Sequence, residues 1–158
     1  MKICRLIYRS IARADWLTPE NLEALLHQST DKNEQLGIRG LLVVSGGRFL
    51  QVLEGSQRFV NQIYNRIIKD DRHHQIELIS FEYISHQYFH DWGMRAISLD
   101  HIQGEARQLL LNKYPNRDGQ IQFPHEPLLI HALLIDARQV CAENATGDIV
   151  VTESGVPS

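Results

Sequence analysis

The sequence predicts an α+β fold, and three observations predict it. Residues 2–8 and 48–54 alternate apolar and polar side chains with period two, as half-buried strands do. Residues 18–29 and 56–68 carry apolar side chains at helical spacing instead. Gly46-Gly47 stands between two β-branched apolar runs, a hairpin signal. A chain of 158 residues, 43% of them apolar, is long enough for one domain with a core and an appendage.

Taken in order, Cys4, Leu6 and Tyr8 share one face of the first strand, and Ile3, Arg5 and Ile7 share the other. Thr18-Pro19 is an N-cap followed by proline at the first helical position. Leu22, Leu25, Leu26 and Ser29 continue that helix, and residues 30–36, which are polar, read as a loop. Residues 38–45 form the second strand and residues 48–54 the third. Phe49, Gln51 and Leu53 lie on one face of the third strand, with Leu50 and Val52 on the other. Ser56 is placed to cap a second helix with the stripe Phe59, Val60, Ile63, Tyr64, Ile67 and Ile68. Residues 75–85 form a fourth strand, bulged at Leu78-Ile79 where alternation slips, and residues 92–99 a fifth. The order β-α-β-β-α-β-β predicts a ferredoxin-like five-stranded sheet with two helices on one face.

Beyond residue 100 the pattern turns helical. Ala106, Leu109, Leu110 and Lys113 make a short helix that Pro115 ends, and residues 127–141 a longer one. The apolar surface of the longer helix is wide, so cover by the free sheet face or by another subunit is expected. Residues 1–99 are therefore read as one domain, residues 100–143 as a two-helix extension, and residues 144–158 as a flexible tail. Lys/Arg and Asp/Glu balance over residues 1–100, and the net charge of −3 falls entirely on the remainder.

This balance argues against binding nucleic acid through a broad basic face. No apolar run is long enough to span a membrane, and Arg5, Arg9 and Arg13 break any signal-peptide core. Cys4 and Cys141 make neither a disulfide framework nor a zinc site. The expectation is a cytoplasmic protein with reduced thiols. The chain lacks GxSxG, P-loop, GxGxxG, HExxH and CxxC signatures, and no enzymatic activity is expected.

A few polar residues stand out. Tyr8 and Gln51 lie beside apolar residues on strand faces, where an unpaired polar group costs about 1–3 kcal/mol. By spacing alone, a pair that satisfies itself or a carbonyl is the default reading. Asn33 after the first helix is by default a turn residue. His73-His74 point apart and lack a matching ligand set, so no metal is expected. Trp92 and Met94 share a strand face, as ordinary packing residues also do.

In order and spacing, Arg5-Leu6-Ile7-Tyr8-Arg9-Ser10, Asn33, Gly37-Ile38-Arg39-Gly40-Leu41-Leu42, Phe49-Leu50-Gln51-Val52-Leu53-Glu54-Gly55, Asp71-Arg72-His73-His74 and Trp92-Gly93-Met94 closely resemble the BLUF domain, a blue-light sensor using flavin. The resemblance covers residues 1–98. It implies an oxidised flavin between the two helices, usually FAD, with FMN or riboflavin as alternatives. It implies that Tyr8 and Gln51 are the photoactive pair and that Asn33 and Arg72 bond the ring. Leu25 and Ile67 would sandwich the ring, with Ser29 and Lys32 also among the cofactor-binding residues. Trp92 and Met94 would carry the output. A phenol can give an electron and a proton, and a glutamine amide can exchange donor and acceptor without a change of charge.

Two residues depart from the family pattern. Lys32 replaces a frequent Asn or His, and Gly93 replaces a frequent Ser, which loosens the last strand. The resemblance further implies a short photoreceptor that signals through a protein partner, self-associates, and touches neither nucleic acid nor membrane directly. The competing reading is a light-independent ferredoxin-like module for a small ligand or RNA. RNA recognition would need exposed aromatics on a basic sheet, which Arg48-Phe49-Leu50-Gln51-Val52 matches poorly.

Overall fold

The computed structural model describes residues 2–91, 93–144 and 149–150, with the side chains of residues 26, 28–32, 144, 149 and 150 outside that description. The elements are β1 (Ile3–Ala12), α1 (Pro19–Gln35), β2 (Arg39–Ser45), β3 (Arg48–Ser56), α2 (Gln57–Ile67), β4 (His73–Tyr83) and β5 (Met94–Ser98). A 3-10 turn (Leu99–His101), α3 (Gly104–Lys113), β6 (Asn116–Arg117), β7 (Gln120–Ile121), α4 (Pro127–Asn144) and β8 (Ile149–Val150) follow. The sheet order is β4-β1-β3-β2-β5-β8. β1 is antiparallel to β3 and β4, β2 is antiparallel to β3, and β5 lies parallel to β2. The first five strands and two helices thus form the expected ferredoxin-like α+β arrangement.

Strand alternation sorts the core into two layers. Cys4, Leu6, Tyr8, Leu42, Phe49, Leu53, Met94 and Ala96 pack toward α1 and α2. Ile7, Leu41, Val43, Leu50, Val52 and Ile97 pack on the opposite face in one cluster with Leu110, Ile130, Leu133 and Ala137. The wide apolar surface of α4 is therefore matched by the free face of the sheet. Helices pack on both faces of the central strands, whereas β4 at the sheet edge is largely exposed.

Several boundaries differ from the sequence expectation. Residues 30–35 continue α1 rather than forming a loop, because a run of polar residues is also the solvent face of a helix. The true stop is Gly37 at φ 71°, where Gly37 N–H bonds Glu34 O and Ile38 N–H bonds Asn33 O. Thr18 does cap this helix, its Oγ1 accepting from Asn21 N–H at 3.1 Å. Ser56 stands at the cap position of α2 but makes no side-chain cap bond; it belongs to the end of β3. β4 starts two residues earlier than expected, and its bulge falls at Ile79, skipped between the pairs Ile7–Ser80 and Tyr8–Leu78. β5 is shorter than residues 92–99 because Leu99 opens the 3-10 turn; Trp92 lies outside the described residues.

Two strand pairings were not expected. β6 and β7 form a hairpin around Asp118 and Gly119, both at positive φ, which is the Asp-Gly signature of a two-residue turn. In the tail, Ile149–Val150 pair parallel with Ala96–Ile97, while residues 145–148 and 151–158 lie outside the described residues.

Candidate functional site

The site lies between the sheet and the first two helices. Tyr8 and Gln51 are direct partners in the β1–β3 register, and both side chains project toward α1 and α2. Tyr8 Oη donates a hydrogen bond to Gln51 Oε1. Both residues are buried, at 3% and 7% exposure. Burial drives the Tyr8 pKa far above the usual phenol range, and the nearby Tyr64 and Asp70 push it in the same direction. The phenol is therefore held neutral, a form that can still release a proton along its existing hydrogen bond.

Above this pair opens a cleft of about 150 Å³ that is partly continuous with solvent. Leu42, Phe49 and Met94 complete the floor. Leu25 and Asn33 line it from α1, and Ile63, Arg66 and Ile67 from α2. Asp70, Arg72 and His73 lie at its α2–β4 end. Asn33 is 3% exposed, and its side-chain amide has no hydrogen-bond partner among the described residues. The same holds for Gln51 Nε2. Amides so enclosed yet open to a cleft call for a ligand that carries acceptors and donors at its rim.

Arg72 is held by Asp70. Its Nε lies 2.8 and 3.0 Å from the two carboxylate oxygens, and its Nη2 contacts the same group. The bond keeps the Asp70 carboxyl below, and the Arg72 guanidinium above, their usual values. The guanidinium also stacks 5.6 Å from the Trp16 ring centroid. His73 is fixed on both sides. Its Nε2 lies 2.8 Å from Ile67 O, which can only accept, so in the neutral ring Nδ1 accepts from Ser10 Oγ at 2.7 Å. Both nitrogens are thereby engaged within the fold.

Of the residues singled out in the sequence, Tyr8, Gln51, Asn33, Arg72, Leu25, Ile67 and Met94 line one cleft. Asn33 does so from the last turn of α1, not from a loop. The side chains of Ser29 and Lys32, and the whole of Trp92, lie outside the described residues. Sequence reasoning missed Leu42, Phe49, Ile63, Arg66 and Asp70, and considered His73 only as a metal ligand. A signal for Ile63, Arg66 and Ile67 exists, since their three- and four-residue spacing puts them along one side of α2, with Asp70 just beyond its end.

The cleft fits a flavin. Leu25, Ile63 and Ile67 offer apolar flanks to a flat ring, while the Asn33 amide and Gln51 Nε2 offer hydrogen-bond groups for a rim of carbonyls and ring nitrogens.

Known proteins point the same way. The family model described as "Sensors of blue-light using FAD" (BLUF) matches residues 3–95. The chain is 31% identical over 109 residues to the "Blue light- and temperature-regulated antirepressor BluF" of Escherichia coli, a match covering 68% of this chain and 27% of that protein. It is 27% identical over 99 residues to the "Photoactivated adenylate cyclase subunit alpha" of Euglena gracilis, covering 62% of this chain and 10% of that one. The chain thus spans about a quarter or less of the length of these curated relatives. Among solved structures, "BlrP1 BLUF" is 36% identical with a TM-score of 0.57, over 63% of this chain and 66% of that one. "BlsA photo-activated state" is 26% identical with a TM-score of 0.64, over 84% of this chain and 95% of that one.

Proposed function

The chain belongs to the BLUF family of blue-light sensors that use flavin, and from that premise we propose that Tyr8 and Gln51 are its photoactive pair and that the pair is read out through protein–protein contacts. The observation that carries this reading is the Tyr8 Oη to Gln51 Oε1 bond on the floor of a cleft that leaves Gln51 Nε2 without a protein partner. FAD is the cofactor proposed, as the family description prints it, with FMN or riboflavin as alternatives.

When bound, the flavin supplies an absorber of blue light whose excited ring is a strong electron acceptor. Tyr8 is the side chain on the cleft floor able to give up an electron together with its phenolic proton. Gln51 Oε1 would take up that proton along the existing hydrogen bond while Nε2 releases one toward the cleft, so that the amide, by rotation or tautomerisation, exchanges its donor and acceptor ends with no change in its net charge. In a buried, low-dielectric site each exchanged bond carries more energy than it would in water. Asn33 and Arg72 orient the ring, and Leu25 and Ile67 exclude water from its faces; Ser29 and Lys32 complete the proposed cofactor-binding set, their side chains lying outside the described residues.

The proposed route outward starts at Met94, which lines the cleft and pairs with Gly40 at the start of β5. β5 leads through the 3-10 turn into α3, whose Leu110 packs in the same core as Ile130 and Leu133 of α4. Trp92 would act beside Met94. In this reading residues 1–99 are the sensor, residues 100–143 the output extension and residues 144–158 a tail. The exposed Leu109 and Leu128 on α3 and α4 are the proposed contacts to a partner or a second copy. The chain then has no enzymatic activity of its own, and its two buried cysteines, which form no disulfide among the described residues, suit a cytoplasmic setting. No helix among the described residues is long and apolar enough to cross a membrane.

The test is an absorption spectrum of the purified protein before and after blue light. A flavin spectrum whose main band shifts slightly to the red and recovers in the dark supports the reading. A colourless protein, or a bound flavin with no shift, contradicts it.

A further inference from the structure

A second cleft, of about 310 Å³, lies on the opposite face of the sheet at the β2–β3 hairpin end. Its lining includes Arg9 of β1, Arg48 of β3 and Arg117 of β6, together with His125. The β6–β7 hairpin and the segment leading into α4 close it. Ser45 Oγ donates to Ile121 O at 2.5 Å, and Arg9 Nη2 donates to Pro124 O at 2.8 Å. The cleft is thus built jointly by the sheet and the extension.

Its charge is not balanced from within. Among the lining residues Glu77 is the carboxylate, and its Oε1 lies 3.8 Å from Arg9 Nε on a side chain 70% exposed. Asp100, nearby, is engaged by the Gly46 N–H and Gln120 Nε2. Neither the Arg48 nor the Arg117 guanidinium has a hydrogen-bond or ion-pair partner among the described residues. The Arg9 side chain is only 14% exposed; burial disfavours its cationic form, Glu77 favours it, and the like charge of Arg48 opposes it in smaller measure. Three guanidiniums against one loosely placed carboxylate, in a protein of net charge −3, are a local excess that composition does not explain.

We propose that this cleft is a binding site for a small phosphoryl anion, a pyrophosphate or phosphate ester held by Arg9, Arg48 and Arg117. Guanidiniums present forked donors that match tetrahedral oxyanions. A dianion offsets the charge the lining leaves over. A concave site of this size suits a small molecule better than an extended chain. The proposal does not rest on the photosensor reading, although Arg9 is the neighbour of Tyr8 on β1 and Arg48 precedes the Phe49–Gln51 segment of β3.

The test is calorimetric titration of pyrophosphate into the full flavin-loaded chain at fixed ionic strength. Saturable binding is expected in the wild type, weakened by roughly tenfold or more in each of Arg48→Ser and Arg117→Ser. Arg58→Ser, an exposed cation on α2, should bind as the wild type does. No saturable heat in the wild type, unchanged affinity in both cleft variants, or an equal loss in Arg58→Ser would overturn the site. Tighter binding of malonate than of pyrophosphate would overturn the phosphoryl assignment. Flavin content, read from the same samples, separates this outcome from failure of the first cleft.

Discussion

Tyr8 and Gln51 face each other across the β1–β3 pair, and their side chains meet in one buried hydrogen bond with the phenol as donor. The separation of 43 residues along the chain is closed by strand register alone. Because Gln51 supplies the acceptor, its amide nitrogen is left for the cleft. Gln51→Leu keeps similar bulk and removes both ends of the switch. It should bind flavin and still allow Tyr8 to quench flavin fluorescence, yet form no red-shifted state. A difference spectrum like that of wild type would move the switch to another side chain.

Asn33 and Arg72 approach the cleft from different elements, the end of α1 and the α2–β4 connection. Loss of a charge-assisted hydrogen bond costs about 1.5–3 kcal/mol, which is one to two decades in affinity. Asn33→Ala and Arg72→Ala should purify with less flavin and rebind it more weakly, as measured by fluorescence titration. Wild-type affinity in both would remove them from the binding set.

Arg5 and Glu54 form a buried clamp behind the site. Arg5 Nε lies 2.8 Å from Glu54 Oε2, with the two side chains 5% and 0% exposed. Glu54 also accepts the Tyr88 and Phe89 N–H groups at 3.0 Å, and Arg5 stacks 3.6 Å from the Tyr88 ring centroid. The clamp ties the β4–β5 connection to the sheet centre. Glu54→Ala removes the buried partner of Arg5 Nε and leaves two N–H groups unpaired, while Arg5 keeps Glu82 and His86 O, so a loss of about 3 kcal/mol is expected by urea denaturation. Arg13→Ala breaks an exposed pair with Asp15 and an exposed contact to Asp71 O, and should leave the midpoint almost unchanged. Equal effects of the two substitutions would show that the clamp is not a stabilising feature.

Met94→Ala should retain flavin and the red shift but weaken the light-dependent change in the extension. Met94 is 3% exposed, lines the cleft and begins the strand that leads to α3. Light can move that strand only if the lit and dark states differ in their contacts with it. Hydrogen exchange over residues 100–143, lit against dark, measures the change. No lit–dark difference in wild type would make the extension a passive cover, and a Met94→Ala profile matching wild type would exclude this strand as the route.

Strand faces were legible in the sequence because alternation is local. That Cys4, Leu6 and Tyr8 share one face of β1, and Phe49, Gln51 and Leu53 one face of β3, could be assigned without knowing their neighbours. That Tyr8 meets Gln51 was not legible from periodicity, since register between distant strands is a tertiary property. The resemblance to a known family supplied it. The end of α1 was missed because its polar last turns look like a loop, although Gly37 marked the stop. The Asp118-Gly119 turn was present as a signal and passed over; β8, two residues long, offered none. Arg66 on α2 and Asp70 just beyond it were missed because a charged residue at a helix end reads as solvent-facing until the cleft beside it is known.

The most direct test of the photoactive pair is the blue-light difference spectrum of Tyr8→Phe beside wild type, at equal flavin loading. Removing one hydroxyl deletes the donor of the Tyr8–Gln51 bond and leaves the ring that packs near Tyr64 and His73. Flavin binding should persist in both proteins, with a reversible red shift in wild type and none in Tyr8→Phe. A normal, reversible red shift in Tyr8→Phe would show that the bond between Tyr8 and Gln51 is not where light is converted into a structural change.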